Sequence, residues 1–176
     1  TASTFTLRTI AASDAGSYTC VVTNGNGSTT STAASLTIGP ASALSNLSVR
    51  TAMTAGQTLI VGAVVSGGAK PVLIRAAGPA LSAFGLPGMA DPRLELYDPA
   101  GTRLAANDDW PGTLAPVFTS VGAFSFASGS KDAAISQPLN GSFTVQCTGT
   151  GPGTVLVEAY DLNGGTGPRL VNVSAR

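Results

Sequence analysis

The sequence predicts an all-β fold, a sandwich of many short strands, and three observations predict it. Apolar runs rich in Val, Thr, Ala and Ile are cut every ten or so residues by Gly, Pro, Asn or Asp, the rhythm of strands joined by tight turns. Helix-period stripes are scarce, and only residues 80–84 and 114–120 offer a turn or two, each fenced by Gly or Pro. Charged residues make up 10% of the 176-residue chain, against 22 Gly and 11 Pro, where about a quarter is usual.

Charge then narrows the function. Nine basic and nine acidic side chains cancel, and the chain has no histidine. Without a basic cluster there is no electrostatic grip on a phosphate backbone, so no nucleic-acid partner is expected. Without histidine, Ser-His-Asp and Cys-His relays are excluded, as are the usual His-containing zinc sites. No apolar run reaches the 18 or more residues of a spanning helix, so no membrane span is expected. These exclusions favour a secreted, non-enzymatic module of the extracellular space or cell surface, with no cofactor required.

Residues 1–39 form the first segment. Residues 4–7 alternate like a half-buried strand, residues 17–23 alternate again, Asn24-Gly25-Asn26-Gly27 makes a turn, and residues 33–38 supply a third strand. Between the first two strands lies Asp14-Ala15-Gly16-Ser17-Tyr18-Thr19-Cys20. This D-x-G-x-Y-x-C run resembles the tyrosine corner of immunoglobulin-like domains, built here from Asp14, Gly16 and Tyr18, with the Tyr hydroxyl turned back to the backbone and the Cys on strand F. The resemblance implies strands E, F and G of such a domain, without the four that precede them. An inner face of Phe5, Leu7, Tyr18, Val22 and Leu36 then has nothing in residues 1–39 to cover it. Either the chain is part of a longer protein, or another subunit supplies the surface by strand addition.

A short linker, 40–43, leads to a second β module over residues 44–176. Its expected strands are 44–51, 58–66, 72–77, 93–97, 102–107, 133–137, 142–148, 154–161 and 170–174. One pattern occurs twice, an L-x-N-[L/V]-S-x-R strand carried by Leu44, Asn46 and Arg50 and again by Leu170, Asn172 and Arg176. A duplicated strand at the two ends of a module marks these residues as candidate subunit junctions. In this module, Leu94-Glu95-Leu96-Tyr97-Asp98-Pro99-Ala100-Gly101, then Asn107-Asp108-Asp109-Trp110, Gly129-Ser130-Lys131-Asp132 and the closing strand from Gly153 follow one another in an order similar to the pre-peptidase C-terminal type of β-sandwich found in large secreted bacterial proteins. That resemblance implies a jelly-roll-like sandwich acting as spacer, passenger or binding module, with no catalytic role.

Few residues offer chemistry. Asp98, Asn107, Asp108, Asp109 and Asp132 sit at strand ends, where an oxygen-rich loop set suits calcium and where turn and cap chemistry uses the same residues. Cys20 and Cys147 are either a disulfide or two isolated thiols. Trp110, beside Pro111-Gly112, is a candidate ligand platform for a glycan, with Tyr97, Tyr160 and Phe84 as companions, or else core. Carboxylate pairs for glycoside hydrolysis, Asp108 with Asp109 or Glu95 with Glu158, lack any sign of a cleft between them. The reading that unites these features is the repeating subunit of a bacterial surface fibre or stalk, a homopolymer joined by inter-subunit strand complementation. The alternative is an adhesin or carbohydrate-binding module joined to other domains of a large multidomain secreted protein.

Overall fold

A computed structural model describes residues 4–38, 44–164 and 167–176. The fold is all-β, and the chain divides into two compact units, Thr1–Ala41 and Ser42–Arg176.

The first unit is one interrupted hairpin. Strand β1 (Gly16–Tyr18) pairs antiparallel with β4 (Ala34–Leu36), and β2 (Val21–Asn24) pairs with β3 (Gly27–Thr30). The ladder runs from Tyr18 opposite Ala34 to Val21 opposite Thr30, so two residues on one side, Thr19 and Cys20, face three on the other. This bulge is held by Cys20, whose amide donates to Ser31 Oγ at 2.9 Å while its carbonyl accepts from the Ser31 amide at 2.8 Å. Residues 4–7, expected as a strand, form none. An alternating segment becomes a strand only when a neighbour takes its backbone donors and acceptors, and none does so here.

In the second unit, β5 (Asn46–Met53), β6 (Leu59–Ala77), β7 (Pro92–Tyr97), β8 (Arg103–Asn107), β9 (Ala133–Gly149), β10 (Gly153–Asp161) and β11 (Arg169–Ala175) form one seven-stranded sheet. Its order is β5-β10-β6-β9-β7-β8, with β11 on the first half of β6. Two strands are longer than the sequence suggests. The expected pairs 58–66 with 72–77 and 133–137 with 142–148 are single strands, β6 and β9. Each changes direction within its length: the β6–β9 register shifts between Val65 and Lys70, where Gly67 and Gly68 take φ of +92° and +123°. Only glycine adopts such angles without strain, so the chain bends there, and pairing with β9 resumes at Lys70 opposite Leu139.

The bends let the sheet close over one core. Leu59, Val61, Ala63 and Val65 from the first half of β6 join Val72, Ile74 and Ala76 from its second half, with Leu94, Leu96, Phe143, Val145, Cys147, Val155 and Val157. A second, aromatic core lies outside this one, under the 110–126 segment that contains helix α1 (Ala115–Ser120): Leu73, Ala77, Leu81, Trp110, Phe118, Phe126 and Tyr160. Among the described residues no helix is long and apolar enough to cross a membrane.

Candidate functional site

The first unit keeps its apolar side chains in solvent. Phe5 is 75% exposed and Val22 60%, and Ile10, Tyr18 and Val21 are also exposed. Two open clefts flank Phe5 and Tyr18, whose ring centroids lie 6.3 Å apart. One, of about 520 Å³, is walled by Phe5, Leu7, Ile10, Tyr18 and Leu36; the other, of about 580 Å³, by Phe5, Tyr18, Cys20, Val21 and Ala34. Val21, not the expected Val22, shares the face of Tyr18. The bulge adds one residue's offset, which reverses the side on which later residues emerge, and Val22 instead lies with Asn24 and Asn26. The turn below this face is fixed locally: Tyr18 donates its hydroxyl to the Asp14 carbonyl at 2.7 Å, and Asp14 Oδ2 accepts the Ala11 amide at 2.8 Å.

Residues 1–38 match the immunoglobulin I-set domain. The exposed face thus lies within a segment similar to part of an immunoglobulin-like domain. No curated protein matches the chain.

The other predicted residues are dispersed. Each side chain of the candidate calcium set has at least one protein partner. Asp98 Oδ1 accepts the Thr102 amide of its own turn, Asp108 pairs with Arg93 at 3.3 Å and Asp109 with Lys131 at 2.7 Å. Asn107 spans from the Ala134 amide to the Asp109 carbonyl. Asp132 is fully buried; its carboxylate accepts the amides of Gly78 and Ala80 and the hydroxyl of Ser130, tying the 79–84 turn to β9. Among the described residues no group of three or more acidic or thiol side chains is placed to hold a metal ion.

The two cysteines lie in different units. Both cysteines are free thiols, Cys20 exposed and Cys147 buried in the main core, where burial pushes its thiol up to about 12. Trp110 is no open platform. It is 9% exposed, stacks on Phe118 at 5.3 Å and donates its indole N–H to the Ala127 carbonyl at 3.1 Å. The sequence placed it in a loop, but that loop is the lid of the aromatic core. The duplicated strands lie in β5 and β11, each with one neighbour along its length: β5 on β10 and β11 on β6. Leu44 and Leu170 meet in a single antiparallel bridge.

Both carboxylate pairs are committed to cations. Glu95 takes the Tyr97 hydroxyl at 2.8 Å and the guanidinium groups of Arg93 and Arg103, and the Tyr97 hydrogen bond leads in holding its carboxyl below the usual range. Glu158 binds Arg75, with Nη2 to Oε2 at 2.7 Å, and accepts the Tyr160 hydroxyl at 2.7 Å. Arg75 is wholly buried, with the rings of Phe118, Phe124 and Phe126 at 4.5, 4.4 and 4.2 Å from its Cζ. A lone Arg in a strand gives no warning of this cluster, since its partners come from three separate stretches of chain.

Proposed function

We propose that this chain is a non-enzymatic structural module of an extracellular assembly, the repeating unit of a fibre or stalk whose immunoglobulin half is completed by strands of a neighbouring subunit. An immunoglobulin-like segment fits a structural or adhesion module in general. What supports the finer reading is the bare apolar face of Phe5, Ile10, Tyr18 and Val21. Leaving such side chains in water forgoes about 1.5–3 kcal/mol each. Residues 4–7 form no strand, and among the described residues β1 and β2 each have a single strand beside them, so backbone donors and acceptors are offered where apolar cover is missing. The low charge of the chain suits close packing of neighbours, with few ions to strip of water. The resemblance of residues 44–176 to pre-peptidase C-terminal modules, read from the sequence alone, suits the same setting, and Glu95 and Glu158 are held by Arg and Tyr partners.

Light scattering and negative-stain microscopy test this. Concentrated protein is expected to form ordered oligomers, and Phe5→Asp with Val21→Asp is expected to disperse them while leaving the second unit's thermal transition in place. Monodisperse monomers whose residues 4–38 are nonetheless protected from amide exchange would overturn the proposal.

A further inference from the structure

We infer that the outer face of the β5–β10 ribbon carries a binding groove for a small amphipathic carboxylate, a ring or short alkyl body with one acid group. The groove lies in the second unit and is independent of the open immunoglobulin face. It is an open groove of about 570 Å³, a size within the range of small-molecule sites.

Its walls are apolar and come from three elements. Leu156 of β10 forms the floor, Leu81, Phe84 and Leu86 of the 79–86 segment form one side, and Phe124 closes it, edge-on to Phe84 with ring centroids 5.1 Å apart. Phe84 is 60% exposed, an open aromatic wall in a unit whose other large rings are mostly packed. Two polar groups converge on this pocket, Ser48 and Arg50, on successive outward positions of β5.

Charge selects the ligand. Arg75, Arg93, Arg103, Lys70 and Lys131 each have a carboxylate within 3.3 Å, whereas among the described residues Arg50, like Arg8, Arg169 and Arg176, has no ion-pair partner, and of these four only Arg50 lines the groove. The acid nearest in register is Glu158, opposite Ser48, and its oxygens are taken by Arg75 and Tyr160. The groove thus presents one uncompensated guanidinium above an apolar floor. One planar carboxylate satisfies that fork bidentately, while a phosphate dianion would bring a second charge with no partner. Recognition therefore runs from the acid at Arg50 and Ser48 to the hydrophobic body against Phe84 and Phe124.

Phenylbutyrate titrated into the isotope-labelled chain tests the assignment by amide chemical shifts. Saturating shifts are expected at Ser48, Arg50, Phe84 and Leu156. Phenylbutyramide, equal in shape but uncharged, is expected to bind about tenfold more weakly, as befits loss of a charge-assisted hydrogen bond. Arg50→Gln, an exposed position outside any ion pair, should abolish the preference for the acid while leaving the melting temperature unchanged, and Phe84→Ala should weaken acid and amide alike. The inference is overturned by absence of saturable shifts, by shifts confined to Phe5, Tyr18 and Val21, by equal affinity for acid and amide, or by an Arg50→Gln chain that still prefers the acid.

Discussion

A guanidinium withdrawn from water and ringed by phenyl groups is among the more demanding placements a chain can make, and Arg75 meets its terms one by one. Glu158 neutralises it, the Phe124 carbonyl accepts from Nη1 at 2.6 Å, and the flat cation faces three rings. Each partner matters because an ion stranded in a dry interior costs far more than the pair gains. Arg75→Met should therefore destabilise the second unit by about 3–5 kcal/mol, leaving Glu158 charged and unpaired. Adding Glu158→Gln to that variant should recover part of the loss, since the remaining amide still accepts the Tyr160 hydroxyl. Urea unfolding of the four chains, read as a double-mutant cycle, measures this, and simple additivity would refute it. Titration speaks to the same cores. Burial raises Cys147 from 9.0 to about 12, and burial followed by the bond to Glu158 raises Tyr160 from 10.0 to about 12. A group with a raised folded pKa contributes stability that is complete below its unfolded value and lost as pH rises toward the folded one. Stability is expected to be level through neutral pH and to fall from about pH 9 upward, and Cys147→Ala, compared with its own value at neutral pH, should lessen that alkaline slope in denaturation series.

Along each element the backbone carries information that side-chain patterns only hint at. Two glycines illustrate it: Gly78 and Gly88 approach so closely that a Cβ on Gly88 would run into the Gly78 carbonyl, and one on Gly78 into the carbonyl of Met89. Backbone cannot yield as a flexible side chain can, so Gly88→Ala should cost about 2–3 kcal/mol and lower the melting temperature of the second unit. A calorimetric trace indistinguishable from the parent would show that the segment is free to move. The same contrast marks what the sequence made legible. Strand positions were readable because Leu59, Val61, Ala63 and Val65 alternate with less buried neighbours over a full strand. The turn at Tyr18 was readable because Asp14, Gly16 and Tyr18 act within five residues. The continuity of β6 was not, since Gly67-Gly68 reads as a turn when it is a bend within a ladder. The burial of Trp110 was hidden as well: Phe118 and Phe126 cover it from further along the chain, and no local pattern encodes such a lid. The cleft itself was half legible, with Phe5, Leu7, Tyr18 and Leu36 foreseen and Val21 missed through a bulge invisible before the register is known.

Across the whole molecule the two units differ in how far each satisfies itself. Ser42–Arg176 closes around one aliphatic core and seals a second under its aromatic lid, with Lys70 paired to Asp161, Arg75 to Glu158, and buried Asp132 held by backbone amides and Ser130. Thr1–Ala41 has a hairpin, a tyrosine corner and an apolar face in water. A two-stranded ribbon is at best marginally stable alone, so the first unit should gain most of its stability from whatever covers that face. Removing residues 1–41 is accordingly expected to leave the second unit cooperatively folded, with a melting temperature within a few degrees of the parent, and to abolish ordered assembly. In the intact dilute chain, amides of 16–36 should exchange at rates near those of free peptide, and concentration should slow them by orders of magnitude while amides of β6 and β9 stay unchanged. Exchange that is equally slow in both units at every concentration would mean that the hairpin needs no partner, and the strand-complementation reading would fall with that result.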